Sequence, residues 1–246
     1  EAVLAADKAG DNWSSLSLDE RRKWLEKIAN ALEARSEEIA KLESLDTGKP
    51  IKIARAVDAS RSVANFRFFA EFSKDFHEQK FLMEDATNHV IFKPVGIAGL
   101  ITPWNLPLYL LSWKIAPAIV MGNTVVAKPS ELTPLTANLL AEVFDEVGLP
   151  AGVVNIVHGF GHETGQAIVS HPHVNLISFT GGTITGKKVA ETAAPMFKKL
   201  SLELGGKNAT IVLDDVNLDS AIPEIARSGF LNQGQVCLCG SRILVS

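Results

Sequence analysis

Polar and apolar positions change rhythm near residue 96. Before that point the apolar residues recur at helical spacing. Ser17-Leu18-Asp19-Glu20 has the form of a capping box, with Ser17 as N-cap and Glu20 three residues on. Trp24, Ile28, Leu32, Ile39 and Leu42 follow, which predicts a helix to about Leu45, ended by "DTGKP". A second helix is predicted from about Ile51 to Phe72. Ala2, Val3, Ala6 and Ala9 already place Glu1 in a helical pattern. Residues 75–93 are polar, irregular and then strand-like, an excursion from the domain body of an oligomerisation type.

From Gly96 short apolar runs alternate with helical stretches. "GIAGLI" precedes a helix from Pro107 to Met121, "TVVAK" one from Thr133 to Glu146, and "VVNIV" one from His162 to Ser170. After "LISFT" come Thr183 to Ala193 and then "KLSLEL". Strands alternating with helices predict a parallel Rossmann-type α/β sheet with helices on both faces. Gly205-Gly206 is the candidate domain boundary, dividing residues 1–205 from 206–246. Beyond it "NATIVL" begins a new strand, and a helix runs from about Leu218 to Phe230. The chain closes on "RILVS", a strand cut short, so both ends read as boundaries of a longer protein and a missing leader tells little.

Composition narrows the classes. With 246 residues, 46% of them hydrophobic, the chain can bury a substantial core. A net charge of −4 with Lys and Arg dispersed argues against nucleic acid as a partner. The most apolar stretch, Leu106 to Met121, is broken by Pro107, Lys114 and Pro117 and reads as a core helix, not a membrane span. The two cysteines, Cys237 and Cys239, are too close to close a useful loop, which points to a reducing compartment, most simply the cytoplasm.

In open α/β sheets ligands sit beyond the C-terminal ends of strands, so the residues just after each run carry the chemistry. Gly181-x-Thr183-x-x-Gly186 follows a strand and opens a helix, as a phosphate-binding turn does, but lacks the middle glycine of the dinucleotide fingerprint. A ligand-free strand-to-helix turn fits equally well. In "KPSE" a strand delivers Lys128 to the sheet edge, and Glu131 can accept two hydrogen bonds from a ribose diol. That carboxylate would repel a 2′-phosphate, favouring NAD over NADP. The bland reading is a surface salt bridge. In "LSLELGG" Ser201 and Glu203 share the strand face opposite Leu200, Leu202 and Leu204. A carboxylate there is either paired with a lysine or a general base with a raised pKa. Cys237 is a disulfide partner, an inert packing residue or a nucleophile. A metal site lacks ligands, because no histidine lies within sixty residues of it.

Taken together, "PWNLPL", "GNTVVAKPSE", "FTGGTITG", "LELGGK" and "NQGQVCLCGSR", in this order and spacing, resemble the NAD(P)-dependent aldehyde dehydrogenase superfamily. The resemblance implies that Cys237 is the nucleophile and Cys239 a bystander, that Asn105 and the Cys237 backbone N–H form the oxyanion hole, and that Glu203 is the general base. It implies a cofactor site for NAD lined by Ile101, Thr102, Trp104, Lys128, Ser130, Glu131, Gly161, Gly181 and Gly182. It makes residues 1–205 an NAD-binding domain and 206–246 the start of a catalytic domain. A homodimer or homotetramer is implied for the full-length protein. Two departures stand out. The family commonly has serine where this chain has Gly182, and the chain ends nine residues after Cys237, before the family's Glu-x-Phe-Gly-Pro motif.

Substrate choice rests on an arginine. Ala54, Val57, Ala64 and Phe68 form a helical stripe that includes Arg61, and an inward arginine needs an anionic partner or water. That partner is a protein carboxylate or, on the family's substrate-tunnel helix, a substrate carboxylate held by both arms of the guanidinium. Arg55 is the second candidate. "RSVANFRFFA" and "WNLPLYLLSWKIAPA" are similar to the 2-aminomuconic and hydroxymuconic semialdehyde dehydrogenases, whose small-molecule substrates carry a carboxylate. The rivals are dehydrogenases of neutral aldehydes, the CoA-acylating branch, which typically lacks the Glu203 base, and a non-catalytic structural relative.

Overall fold

The capping box forms. In the computed structural model, which describes residues 1–246, the Ser17 hydroxyl accepts from the Glu20 N–H and the Glu20 carboxylate accepts from the Ser17 N–H at 2.8 Å. Helix α1 (Ala2–Ser15) precedes this cap and α2 (Leu18–Ala34) follows it. The single helix expected to Leu45 breaks at Arg35 (φ −100°, ψ 14°), and α3 (Ser36–Thr47) restarts beyond it. Arg35 turns its guanidinium to Glu38 and Glu142, and the Ser36 hydroxyl donates to the Glu33 carbonyl at 2.6 Å. Such side-chain bonds compete with the helical ladder.

Gly48 ends α3 in the left-handed region (φ 72°), which glycine adopts without steric cost. Helix α4 (Ile51–Ile53) runs through a π-helical segment, Ala54–Ala59, into α5 (Ser60–Phe72). The excursion is a two-stranded antiparallel hairpin of β1 (Gln79–Leu82) and β2 (Thr87–Val90), exposed on both faces.

The remaining elements alternate as the pattern predicts. They are β3 (Ile97–Ile101), α6 (Pro107–Val120), β4 (Thr124–Lys128), α7 (Leu135–Glu146), β5 (Val154–Ile156), α8 (Gln166–Ser170), β6 (Val174–Gly181), α9 (Thr183–Ala193) and β7 (Lys199–Leu204). The five strands form one parallel sheet in the order β5-β4-β3-β6-β7. The chain winds outward from β3 to β5, then returns to lay β6 on the other side of β3. That reversal opens a crevice between the ends of β3 and β6.

Both faces of the central strands are covered. Ala98 and Leu100 of β3, with Val125 and Ala127 of β4, join a core of 28 buried residues that includes Leu25, Ile39, Phe66, Ile115 and Leu140. The alternate residues Ile97 and Ile101 join a second core of 12 with Val3, Ile168, Ile177 and Val189. Two acids of α3 reach helix N-termini, where backbone N–H groups lack helical partners. Glu43 accepts the Leu108 N–H of α6 at 2.9 Å, and Asp46 the Leu135 N–H of α7 at 2.8 Å. After β7, strands β8 (Ala209–Val212) and β9 (Arg242–Val245) pair parallel in a separate sheet, with α10 (Leu218–Phe230) between them in sequence.

Candidate active site

The residues singled out for a cofactor lie at or after the C-terminal ends of β3, β4, β5 and β6. Ile101 ends β3 and Thr102 follows it, both buried, and the Thr102 hydroxyl has no hydrogen-bond partner. On β6, Gly181 and Gly182 lead into α9, with Gly182 as its N-cap and no side chain capping the helix. A Cβ on Gly182 or Gly161 would meet nothing within 4 Å, so open space lies beside both. Gly181 differs: a Cβ there would sit 2.5 Å from the Phe179 ring, so its missing side chain serves packing. Trp104 is 42% exposed.

On the next strand, buried Lys128 donates to the Pro129 carbonyl at 2.6 Å and to Glu131 at 3.0 Å. The Ser130 hydroxyl accepts the Leu132 N–H at 3.2 Å. Glu131 stays partly exposed, and a backbone hydrogen bond and Lys128 hold its carboxyl below the usual range.

The cysteine loop meets the sheet at Asn105. The Asn105 side-chain amide donates to the Gln235 carbonyl at 2.7 Å, joining positions 130 residues apart. In return, the Asn232 amide donates to the Asn105 carbonyl at 3.0 Å. Two residues beyond Gln235, Cys237 is an exposed free thiol, and its N–H donates to no backbone carbonyl. Asn208 donates to the Cys237 carbonyl at 2.8 Å. Cys239 is free and half-buried. Asn232 and Gln233 both hold positive φ, 51° and 60°, so the approach to the thiol is a left-handed turn. Asparagine tolerates that conformation better than most residues.

Two sequence expectations need correction. Glu203 does not lie in a buried strand: β7 is the sheet edge, its residues are exposed or half-buried, and Glu203 is exposed. No element within residues 1–246 covers that edge, so its leucines did not signify a closed core. Its charged neighbour is Lys114, 7% exposed, which donates to the Ser178 hydroxyl at 2.7 Å. Burial pushes Lys114 down to about 8, with the Glu203 carboxylate pulling the other way.

Nor does Arg61 face inward. It is exposed, with its guanidinium carbon 5.5 Å from the centre of the Tyr109 ring. The buried stripe of this helix is Ala54, Asp58, Ala59, Ser62, Val63, Asn65, Phe66 and Ala70. The π segment closes its turns over five residues, so a stripe drawn at uniform 3.6-residue spacing loses phase across it. Arg55 is also exposed and is paired with Glu37 at 2.8 Å.

Sequence reasoning missed a buried cluster beneath Asn105. Lys49 and Asp58, each with a 0% exposed side chain, pair at 2.9 Å, and Lys49 also reaches the Asn105 carbonyl at 3.4 Å. Glu43, close by, is pushed up to about 7 by burial and by the Asp58 charge. The lysine stands in "DTGKP", which reads only as a helix stop. The lone charge in the apolar run, Lys114, was the available signal for the other missed residue.

The sequence model of the aldehyde dehydrogenase family matches residues 1–246. Over 246 residues the chain is 53% identical to 2-aminomuconic semialdehyde dehydrogenase of Homo sapiens, covering 99% of this chain and 50% of that protein. It is 47% identical over 239 residues to 2-hydroxymuconic semialdehyde dehydrogenase of Pseudomonas sp. (strain CF600), covering 95% of this chain and 49% of that protein. A solved NAD+ complex of aldehyde dehydrogenase from Bacillus cereus superposes with a TM-score of 0.96 at 42% identity, over 99% of this chain and 50% of that one. The chain thus spans about half the length of these relatives.

Proposed function

The chain belongs to the aldehyde dehydrogenase family, and on that premise we propose that it forms the cofactor-binding part and nucleophile loop of an NAD-dependent dehydrogenase. Its substrate is an aldehyde bearing a carboxylate, of the 2-aminomuconic semialdehyde kind, and its product is the carboxylic acid. The carrying observation is the 2.7 Å bond from Asn105 to Gln235, which brings a sheet-end amide to the loop of Cys237.

Residues 1–205 act as the NAD-binding domain and 206–246 as the start of the catalytic domain. Several features fit NAD: the crevice at the strand reversal, the unpartnered Thr102 hydroxyl, the open space at Gly161 and Gly182, and the uncapped α9 N-terminus. Ile101, Thr102, Trp104, Lys128, Ser130, Glu131, Gly161, Gly181 and Gly182 would hold it, with Glu131 on the ribose diol. NAD, when bound, supplies the hydride acceptor that allows a thiohemiacetal to become a thioester.

The chain's own residues do the rest. The Cys237 thiolate attacks the aldehyde carbon, and the carbonyl oxygen becomes an oxyanion. A side-chain amide has two N–H donors. One of Asn105's holds Gln235, which leaves the other, with the free Cys237 N–H, for the oxyanion. Glu203, exposed at the sheet edge, takes a proton from water, which attacks the thioester carbon and expels the thiolate.

The substrate reading is supported by the arginines of one helix. Arg55 is paired with Glu37 and Arg67 with Glu33, whereas Arg61 has no carboxylate partner. Its guanidinium carbon lies 5.5 Å from the centre of the Tyr109 ring, so an unpaired cation borders an aromatic face. That suits a conjugated chain ending in an acid. In the full-length protein, acid-bearing semialdehydes should exceed neutral aldehydes of equal length in kcat/KM. Arg61→Ala should cut that advantage by about 1.5–3 kcal/mol, the scale of a hydrogen bond to a charged group. Equal loss for both classes would make Arg61 structural and remove the support for an acidic substrate.

A further inference from the structure

Two side-chain donors distant in sequence converge on one carbonyl oxygen, that of Asn105. Lys49 has three N–H donors and no access to water. It spends them on the two Asp58 oxygens, at 2.9 Å each, and on the Asn105 carbonyl at 3.4 Å. Asn232 donates to the same oxygen at 3.0 Å from the opposite side of the chain. A carbonyl oxygen has two lone pairs, and both are engaged.

Each donor is itself fixed. The Ser44 hydroxyl donates to the Lys49 carbonyl at 2.6 Å, and the residue before Lys49 is the left-handed Gly48. The π segment carries Asp58 inward, and such segments recur at functional sites. On the cysteine side, Gln233 donates to the Gly48 carbonyl at 3.3 Å, beside its neighbour's contact to Asn105. The "DTGKP" turn therefore touches both the Asn105 loop and the cysteine loop. Its buried ion pair is costly to assemble, and such pairs add little stability over apolar packing.

We propose that Lys49, Asp58 and Asn232 are positioning residues for the oxyanion hole: together they lock the Asn105 peptide, and hence its side-chain amide, relative to Cys237. This rests on the reading of Cys237 and Asn105 given above. None of the three touches substrate. Their work is to keep the free Asn105 N–H aimed where negative charge develops, because small misplacements there cost rate steeply.

The test uses the full-length enzyme and two probes of the Cys237 thiol. Acyl transfer from p-nitrophenyl acetate passes through an oxyanion as the thiolate adds to the ester carbon and p-nitrophenolate leaves. Alkylation by iodoacetamide displaces iodide and forms no oxyanion. Asn232→Gly removes the donor while keeping the left-handed backbone unstrained. It should slow acyl transfer by about tenfold to a hundredfold and leave alkylation within about twofold. Asn232→Asp, which keeps the size and replaces the donor, should do the same. Asn105→Ala sets the reference: it should show the same selective loss, and adding Asn232→Gly to it should cost nothing further. Asp58→Asn should repeat the pattern wherever it folds.

Equal slowing of both probes by Asn232→Gly, or full additivity with Asn105→Ala, would overturn the positioning role. If Asn105→Ala itself leaves acyl transfer intact, the oxyanion assignment fails and the inference falls with it.

Discussion

Two parts of the chain are held together by different forces. The sheet and its helices up to β7 bury two apolar clusters of 28 and 12 residues, all of which precede Gly205. In residues 206–246 only Val212, Asn232 and Gly240 are buried, while Ile211, Leu218, Ile222, Phe230 and Leu244 stand exposed. Yet the thiol lies in this second part. What docks its loop onto the body is a set of amide hydrogen bonds through Asn105, Asn232 and Gln233. Apolar burial is non-directional and sets stability, whereas hydrogen bonds fix orientation. Within the half of its relatives' length that this chain spans, apolar burial holds the body and a polar seam joins the cysteine loop to it.

That contrast can be broken at its strongest point. Lys49→Met leaves Asp58 as an uncompensated buried charge and should destabilise the full-length protein by about 3–5 kcal/mol, read as a lower urea midpoint. A second change, Asp58→Leu, should restore much of the loss without restoring activity. Asn232→Gly, in the polar seam, should cost less than about 2 kcal/mol of stability while lowering turnover. At the cofactor crevice the full-length protein should prefer NAD, and Glu131→Gln should relax that preference by about tenfold, the scale of one screened charge contact. Comparable kcat/KM with both cofactors before mutation would remove Glu131 from the 2′-position.

A smaller effect sits in the body alone. Glu43 titrates near pH 7 in the folded chain against an ordinary 4.5, because burial and Asp58 disfavour its charge. Its folded pKa is raised, so its stabilising contribution is full below about pH 4.5 and is lost as pH rises through 7. The Tm of Glu43→Gln should therefore gain on the parent between pH 5 and 8, and a parallel pair of curves would contradict this. Smallest of all, Arg55→Ala should change stability by under about 1 kcal/mol, since its pair with Glu37 is exposed.

The sequence made the body legible because both faces of the sheet are covered, so apolar runs and helical spacing report burial directly. The parallel strands from β3 to β7 and the α6, α7, α9 and α10 spans emerge nearly residue for residue. The motifs that carry Asn105 and Cys237 stand out in the sequence, and a hydrogen bond joins their loops. What escaped depends on partners distant in sequence. The break at Arg35 coincides with a pairing to Glu142, 107 residues away in sequence, and the outward Arg61 follows a π segment that shifts helical phase. Glu203 looked buried because alternation alone cannot tell a central strand from an edge. Lys49 and Asp58 carried no periodic signal, since their partners, each other and the Asn105 carbonyl, are set by tertiary contacts.

In the proposed mechanism Cys237, aimed by Asn105, forms the covalent bond. The direct measurement is to quench the full-length protein during turnover with an aldehyde and NAD, digest it at acid pH, and locate the acyl group by mass spectrometry. A thioester is expected on Cys237, with Cys237→Ala abolishing both the adduct and activity while Cys239→Ala retains most of each. An acyl group on Cys239, or full activity in Cys237→Ala, would contradict it.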